Sequence, residues 1–109
     1  MDACVFCRIV AGELPASVVY EDEAIMAFKD QHPEAPVHLL VVPKKHIASL
    51  AQLEAEDAAV MGHVMLKLPE LAVSQGMEQG FKTRINTGRA GGQEVAHLHV
   101  HLTGRPSLK

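Results

Sequence analysis

The chain has 109 residues, enough for one domain with a single hydrophobic core. Its formal net charge is -3 and it has no basic stripe that could neutralise a nucleic-acid backbone, so we expect no polymeric nucleic acid as a partner. No apolar run approaches the ~20 residues that a membrane span requires, and the amino terminus lacks the basic and apolar segments of a secretory signal. We therefore expect a cytoplasmic protein that does not act in a membrane.

The first predicted element is a short helix over residues 4–11 that contains a C-x-x-C motif, Cys4-Val5-Phe6-Cys7. In a reducing compartment this spacing suits half of a tetrahedral zinc site, to which histidines would add the other ligands. It also suits a redox pair, but such a pair normally follows a strand in a βαβ unit, and no strand precedes it here. Two small buried thiols beneath the helix are a third reading.

Three strands are predicted next. Residues 18–20 and 25–28 are short apolar runs on either side of an acidic turn, a pattern typical of a hairpin. Residues 37–42 are almost continuously apolar, which predicts a central strand covered on both faces. His38 lies near the start of that strand, where a polar side chain indicates a function.

Residues 54–76 have the apolar spacing of a helix that lies against the sheet. Pro69 removes a backbone donor and clashes with the carbonyl of Met65, so we expect a kink or a break near Lys67 and Leu68. The last two strands are predicted at residues 81–86 and 96–103, which makes the chain an α+β protein.

The connection between the last two strands, residues 87–94, contains three glycines. The pair Gly91-Gly92 is consistent with a simple turn. It is equally consistent with a loop whose main-chain N–H groups approach a phosphate, and Asn86 and Gln93 would then add side-chain amide donors.

Three histidines alternate with aliphatic residues at the end of the chain: His97, His99 and His101. In an extended strand successive side chains point to opposite faces, so the three imidazoles would line one face. They would be close enough to contact one phosphate-sized anion or one metal ion. The alternatives are a half-buried strand whose polar face is histidine-rich, and a metal-scavenging tract.

The stretch from Asn86 to Leu102 resembles the signature of the histidine triad family, and specifically its Hint branch of nucleoside phosphoramidate hydrolases. Residues 9–15, 20–22, 27–30 and 36–46 resemble the same branch, so the resemblance covers nearly the whole chain. It implies one histidine triad domain over residues 1–109, with a five-stranded antiparallel sheet, one long helix and one short helix. It also implies a symmetric homodimer in which the two sheets join into a continuous larger sheet.

The resemblance implies hydrolysis of the P–N bond of purine nucleoside 5′-phosphoramidates, with release of AMP or GMP and an amine. His99 would be the nucleophile and would form a covalent nucleotidyl-histidine. His101 and the loop amides would stabilise charge on the phosphoryl oxygens, and His38 would take part in proton handling. His97 completes the catalytic triad unless a metal occupies its ring.

Nucleoside binding residues follow from the same resemblance. Asp30 matches the carboxylate that accepts hydrogen bonds from the ribose hydroxyls, whereas without the resemblance it reads as a turn residue. The base pocket would be formed by residues that otherwise read as ordinary core: Val5, Phe6, Ile9 and Phe28. The phosphate of the nucleotide would be bound by Asn86, Gly92 and Gln93.

Some family members hold a structural zinc on a set of residues that here corresponds to Cys4, Cys7, His46 and His97. Such a set is closed and leaves no open position for metal catalysis, so the chemistry itself requires no cofactor. Two alternative functions stay open. The same nucleophile could serve a dinucleoside polyphosphate hydrolase or nucleotidyltransferase, or the domain could be a nucleotide- or zinc-binding interaction module without turnover. Glu94 departs from the Ser or Thr of many relatives.

Overall fold

A five-stranded antiparallel sheet forms the centre of the protein in the computed structural model, which describes residues 4–107. The order of the strands in the sheet is β1-β2-β3-β5-β4. Their bounds are β1 (Val18–Glu21), β2 (Ile25–Lys29), β3 (Val37–Pro43), β4 (Lys82–Arg84) and β5 (Val100–Gly104). The helices are α1 (Val5–Val10) and α2 (Ala58–Ser74). Short 3-10 turns lie at Leu50–Gln52, Ala55–Asp57 and Arg89–Gly91. The predicted α+β fold, with one long and one short helix, is confirmed.

The central strand β3 is buried along its whole length, as its apolar sequence predicts. Because side chains alternate along a strand, β3 contributes to two separate clusters. Leu39 and Val41 belong to the cluster that packs against α2, whereas Leu40 and Val42 belong to the cluster beneath α1. His38 alternates in the same sense as Leu40 and thus faces the α1 side of the sheet.

Helix α2 continues through Pro69 without interruption, so of the kink or break predicted near Lys67 and Leu68 the break is wrong. Leu68 and Leu71 on either side of the proline are buried against the sheet, and this packing holds the helix together where a backbone hydrogen bond is missing. Within residues 4–107, no helix combines the length and the apolar character needed to cross a bilayer.

The last two strands are shorter than predicted, and this changes where the histidines lie. The N–H of His97 donates to the Val95 carbonyl at 2.8 Å, and the N–H of Leu98 donates to the Ile47 carbonyl at 2.7 Å. The segment that contains His97 and Leu98 is therefore hydrogen-bonded to residue 47 and not to a neighbouring strand of the sheet. Of the three alternating histidines only His101 lies within β5, and the prediction that all three line one face of a strand is wrong.

Candidate functional site

A cavity of about 780 Å³ lies on the α1 side of the sheet. Four of its lining residues form one row across four strands, because each is the direct partner of the next: Phe28 on β2, Leu40 on β3, His101 on β5 and Arg84 on β4. We call these four residues the cavity row. Directly paired residues point to the same face of a sheet, and three strand spacings span roughly 14 Å. The row is therefore long enough for a nucleotide.

The β2 end of the cavity is apolar and aromatic. The ring of Phe6 meets the ring of Phe28 edge-on with centroids 5.4 Å apart, and it meets His99 edge-on at 5.1 Å. Val5 and Ile9 of α1 line the same space, so the structure brings all four predicted base-pocket residues together. A planar heterocycle can pack between such side chains.

Asp30 lies where the apolar end of the cavity gives way to the polar part. Its Oδ1 accepts a hydrogen bond from the main-chain N–H of His32 at 2.8 Å, and its Oδ2 lies 3.4 Å from Nε2 of His38. The carboxylate also lines the cavity, where its oxygens can accept hydrogen bonds from a sugar hydroxyl.

His99 is buried, and its tautomer follows from its hydrogen bond. Its Nδ1 lies 2.7 Å from the main-chain carbonyl of His97. A carbonyl only accepts hydrogen bonds, so Nδ1 carries the proton and Nε2 keeps its lone pair. Burial lowers the pKa of His99, and the bond to the His97 carbonyl offsets this in part. The ring is thus neutral near pH 7, and Nε2 is available as a nucleophile.

The tautomer of His101 is also determined by a chain of donors. The N–H of Glu34 donates to Nδ1 of His38 at 3.1 Å, so a neutral His38 carries its proton on Nε2. That proton is donated to Nδ1 of His101 at 2.9 Å. The proton of His101 is consequently on Nε2, where it can be donated to an anion in the cavity. Burial, followed by the positive charge of Arg84, lowers the pKa of His101 to about 4.

Main-chain N–H groups of the glycine loop donate hydrogen bonds to carbonyls of the same loop. The N–H groups of Gly91 and Gln93 donate to the Gly88 carbonyl at 3.1 and 3.0 Å, and that of Gly92 donates to the Arg89 carbonyl at 3.1 Å. These three amides therefore do not offer the predicted cradle for a phosphate. Gly92 does line the cavity, in a left-handed backbone conformation with φ of 82° that favours glycine.

The two amide side chains at the ends of this loop also hold it in place. Gln93 Nε2 donates to the carbonyls of Ala48 and Val95 at 2.7 and 2.9 Å, and Gln93 does not line the cavity. The predicted contact between Gln93 and a phosphate is therefore replaced by a role in loop structure. Asn86 lines the cavity and donates to the Gly91 carbonyl at 2.8 Å.

The ring of His97 lies outside the cavity, in a cluster with Cys4, Cys7 and His46. Its Nε2 lies 2.8 Å from the Pro43 carbonyl, so Nε2 carries the proton and Nδ1 keeps its lone pair. That Nδ1 lies 3.4 and 3.5 Å from the two Sγ atoms, and Nδ1 of His46 lies 3.1 Å from Cys7 Sγ.

The four ligand atoms of this cluster lie within 4.8 Å of one another. Ligand atoms of a tetrahedral zinc with two thiolates and two imidazoles are about 3.5 Å apart, given the usual bond lengths. The donor set and its spacing thus fit zinc. The Pro43 carbonyl, which orients His97 as a metal ligand requires, could not be recognised from the sequence.

Two further charged residues at the β4 end of the cavity were not predicted. Arg84 Nη1 donates to Glu34 Oε2 at 3.0 Å, and Arg84 Nε donates to Asn86 Oδ1 at 2.9 Å. Both charged residues line the cavity. A single arginine in a three-residue strand gives no sequence signal, since its place depends on the register with β5.

Comparison with known proteins gives consistent matches. Residues 3–108 match the family described as "Scavenger mRNA decapping enzyme C-term binding". The chain is 54% identical over 106 residues to Protein HitA of Neisseria gonorrhoeae, covering 97% of this chain and 99% of HitA. It is similar to a HIT family hydrolase from Legionella pneumophila Philadelphia 1, with a TM-score of 0.91, 42% identity and coverage of 97% and 96%. A Zn-bound histidine triad family protein from Mycobacterium smegmatis gives a TM-score of 0.81 and 37% identity, covering 96% of this chain and 76% of that one.

Proposed function

Because this chain belongs to the histidine triad family, whose solved relatives include proteins described as hydrolases, we propose that it is a nucleoside phosphoramidate hydrolase. It cleaves the P–N bond of purine nucleoside 5′-phosphoramidates and releases AMP or GMP and an amine. The observation that carries this proposal is the hydrogen bond from His99 Nδ1 to the His97 carbonyl, since it leaves the lone pair of Nε2 free in a cavity of nucleotide size.

In the first step Nε2 of His99 attacks phosphorus and forms a new P–N bond. The bond between phosphorus and the leaving nitrogen breaks, and the amine departs with the bonding electron pair and one proton taken from solvent. The product of this step is a nucleotidyl-imidazolium whose Nδ1–H still donates to the His97 carbonyl. Splitting the displacement in this way replaces one difficult step with two easier ones.

His101 supports both steps without changing its charge. Its Nε2–H is suited to donate to a non-bridging phosphoryl oxygen, where negative charge develops. Its low pKa, about 4, keeps the ring neutral near pH 7. His38 acts as a positioning residue, because its hydrogen bond to His101 Nδ1 selects that tautomer.

In the second step the oxygen of a water molecule attacks phosphorus and forms a P–O bond. The P–N bond to His99 breaks, the electron pair returns to Nε2, and one proton is released. The proton consumed in the first step is thereby balanced, and His99 is regenerated as the neutral ring. Asp30 would bind the ribose, and the aromatic pair Phe6 and Phe28 would pack against the purine.

We further propose that the cluster Cys4, Cys7, His46 and His97 holds a structural zinc. Zinc bound there would connect α1 to residues 46 and 97 and would leave no open coordination position for catalysis. The cluster requires reduced thiols, which is consistent with a cytoplasmic protein.

A homodimer is supported by the outer face of α2. Exposed nonpolar residues recur there with alternating spacings of three and four: Ala59, Gly62, Leu66, Pro69 and Val73. The exposed fractions of Leu66 and Val73 are 73% and 57%. Such spacing is typical of a helix that packs on another helix. The edge strand β4 could join its counterpart in the second subunit and extend the sheet.

The direct test is hydrolysis of an adenosine 5′-phosphoramidate that carries a fluorescent amine. We expect turnover by the intact protein, loss of turnover in His99→Ala, and retention of AMP binding in that variant. His63→Ala is the control for loss of an imidazole away from the cavity, because His63 lies on α2, does not line the cavity and pairs with Asp22 at 2.6 Å. Absence of turnover in the intact protein, or equal turnover in His99→Ala, would contradict the proposal.

A further inference from the structure

The β4 end of the cavity row is occupied by Arg84. It is the direct cross-strand partner of His101, and both residues line the cavity. Directly opposed side chains on neighbouring strands have their Cβ atoms roughly 5 Å apart and share a face. The positive charge of Arg84 also contributes to the lowered pKa of both His99 and His101, as expected for a guanidinium close to the two rings.

The order of the row indicates which part of a substrate Arg84 would meet. Phe28 on β2 is at the aromatic end, and Leu40 on β3, His101 on β5 and Arg84 on β4 follow in that order. His99 lies outside the row, with its ring centroid 4.9 Å from that of His101. A nucleotide with its base near Phe28 and its phosphorus near His99 and His101 points its leaving group toward Arg84. This step rests on the proposed function, since that function places the phosphorus at the histidines.

The guanidinium has hydrogen-bond capacity to spare. It carries five N–H donors, of which Nε serves Asn86 and one N–H of Nη1 serves Glu34. The side chain of Glu34 is 58% exposed, and exposed ion pairs contribute little to stability. Arg84 lowers the pKa of Glu34, so the partner is an ionised carboxylate. The structure thus already contains a carboxylate bound to Arg84 at the mouth of the cavity, in a place that a ligand carboxylate could take.

We propose that Arg84 is a specificity-determining residue that binds a carboxylate on the leaving amine. The preferred substrates are nucleoside phosphoramidates whose amine carries this group within reach of the guanidinium fork. When no such carboxylate is bound, Glu34 pairs with the Arg84 guanidinium, and it therefore competes with the substrate carboxylate. The other Lys or Arg of the lining is Lys29, which lies on β2 at the opposite end of the row and cannot serve the same group.

The test compares two adenosine 5′-phosphoramidates with the same amine skeleton, one bearing a carboxylate and the other the corresponding carboxamide. The measured quantity is the ratio of kcat/KM for the two substrates, and turnover is monitored through the release of AMP. We expect the intact protein to favour the carboxylate about tenfold, the size of one charge-assisted hydrogen-bonded pair. The ratio should fall to about one in Arg84→Gln.

Three further variants refine this test. Arg84→Lys keeps the charge but loses the fork and should give an intermediate ratio. Glu34→Gln removes the competing carboxylate and should raise the ratio. Lys29→Gln removes the same charge from the other end of the cavity, and its ratio should equal that of the intact protein.

Binding measurements separate this inference from the proposed function. Calorimetry of the same two compounds is carried out with His99→Ala and with the double variant His99→Ala, Arg84→Gln. A preference for the carboxylate that disappears with Arg84, in the absence of turnover by the intact protein, supports the role of Arg84 and overturns the hydrolase. Turnover of both compounds with a ratio near one, or a ratio unchanged in Arg84→Gln, overturns the role of Arg84 alone.

Discussion

The Nδ1–H of His99 donates to the main-chain carbonyl of His97 at 2.7 Å, while the ring of His97 lies against Cys4 and Cys7. One residue thus belongs to the cysteine cluster through its side chain and orients the nucleophile through its backbone. Phe6, between the two cysteines, meets both imidazole rings edge-on, with centroids 5.9 Å from His97 and 5.1 Å from His99. The cysteine cluster and the candidate reactive site are therefore in direct structural contact.

From this contact we expect that loss of the proposed zinc lowers activity, although zinc has no part in the proposed reaction. We expect Cys7→Ser to reduce the zinc content and to lower kcat roughly 10- to 100-fold, a size typical of residues that support a metal site. Metal analysis, kcat and Tm would be measured on the same samples. His63→Gln, which removes a histidine outside the cluster, should keep its zinc. A zinc-free protein with unchanged kcat would show that the two sites are independent.

Removal of His38 should impair catalysis through the tautomer of His101. In His38→Leu the His101 Nδ1 loses its donor, so the tautomer with its proton on Nε2 is no longer selected. Complete loss of one donor to the developing phosphoryl charge would cost roughly 100- to 1000-fold in kcat, and we expect a decrease up to this size. NMR of the imidazole nitrogens should show that His101 no longer carries its proton on Nε2 alone. His63→Leu on α2 is the control for loss of an imidazole. An unchanged His101 tautomer combined with a lowered kcat would mean that His38 acts in another way.

The stability of the protein should decrease in acid because of His101. The pKa of His101 is about 4 in the folded protein and about 6.5 in an unfolded chain, so the unfolded state takes up a proton first. The stabilisation is complete above pH 6.5 and is lost as the pH falls toward 4. Tm measured between pH 4 and 7.5 should fall less steeply in His101→Asn than in the intact protein. Equal slopes in the two proteins would contradict the low pKa.

The outer face of α2 should determine the oligomeric state. Leu66→Glu places a charge in the centre of the exposed nonpolar stripe and should convert the proposed homodimer into a monomer. Sedimentation velocity would measure this. Val18→Glu is the matched control, because Val18 is an exposed apolar residue on β1 at the other edge of the sheet. A monomeric intact protein, or a Leu66→Glu variant that remains dimeric, would rule out this interface.

Local burial explains why most of the fold could be predicted. Strand β3 is apolar at nearly every position because both faces are covered, and α2 repeats its apolar residues because one side meets the sheet. The break expected at Pro69 did not occur because packing of the neighbouring Leu68 and Leu71 is a tertiary effect that the local sequence does not contain.

The site was predictable in its residue types but less so in its geometry. The alternation of His97 and His99 indicates a strand, yet the Leu98 N–H is bound by Ile47, a residue 51 positions earlier in the chain. Gln93 holds the loop through the carbonyls of Ala48 and Val95, which a local motif cannot reveal. Arg84 lies in the site only because the register of β4 with β5 places it opposite His101.

Covalent nucleotidylation of His99 is tested most directly by measuring the intact mass of the protein during turnover. The protein would be mixed with an adenosine 5′-phosphoramidate and quenched in alkaline denaturant, in which a P–N bond to histidine survives. The mechanism predicts a mass increase of one adenylyl group, located on His99 by peptide analysis and absent from His99→Ala. Turnover without any such adduct, together with an active His99→Ala variant, would contradict it.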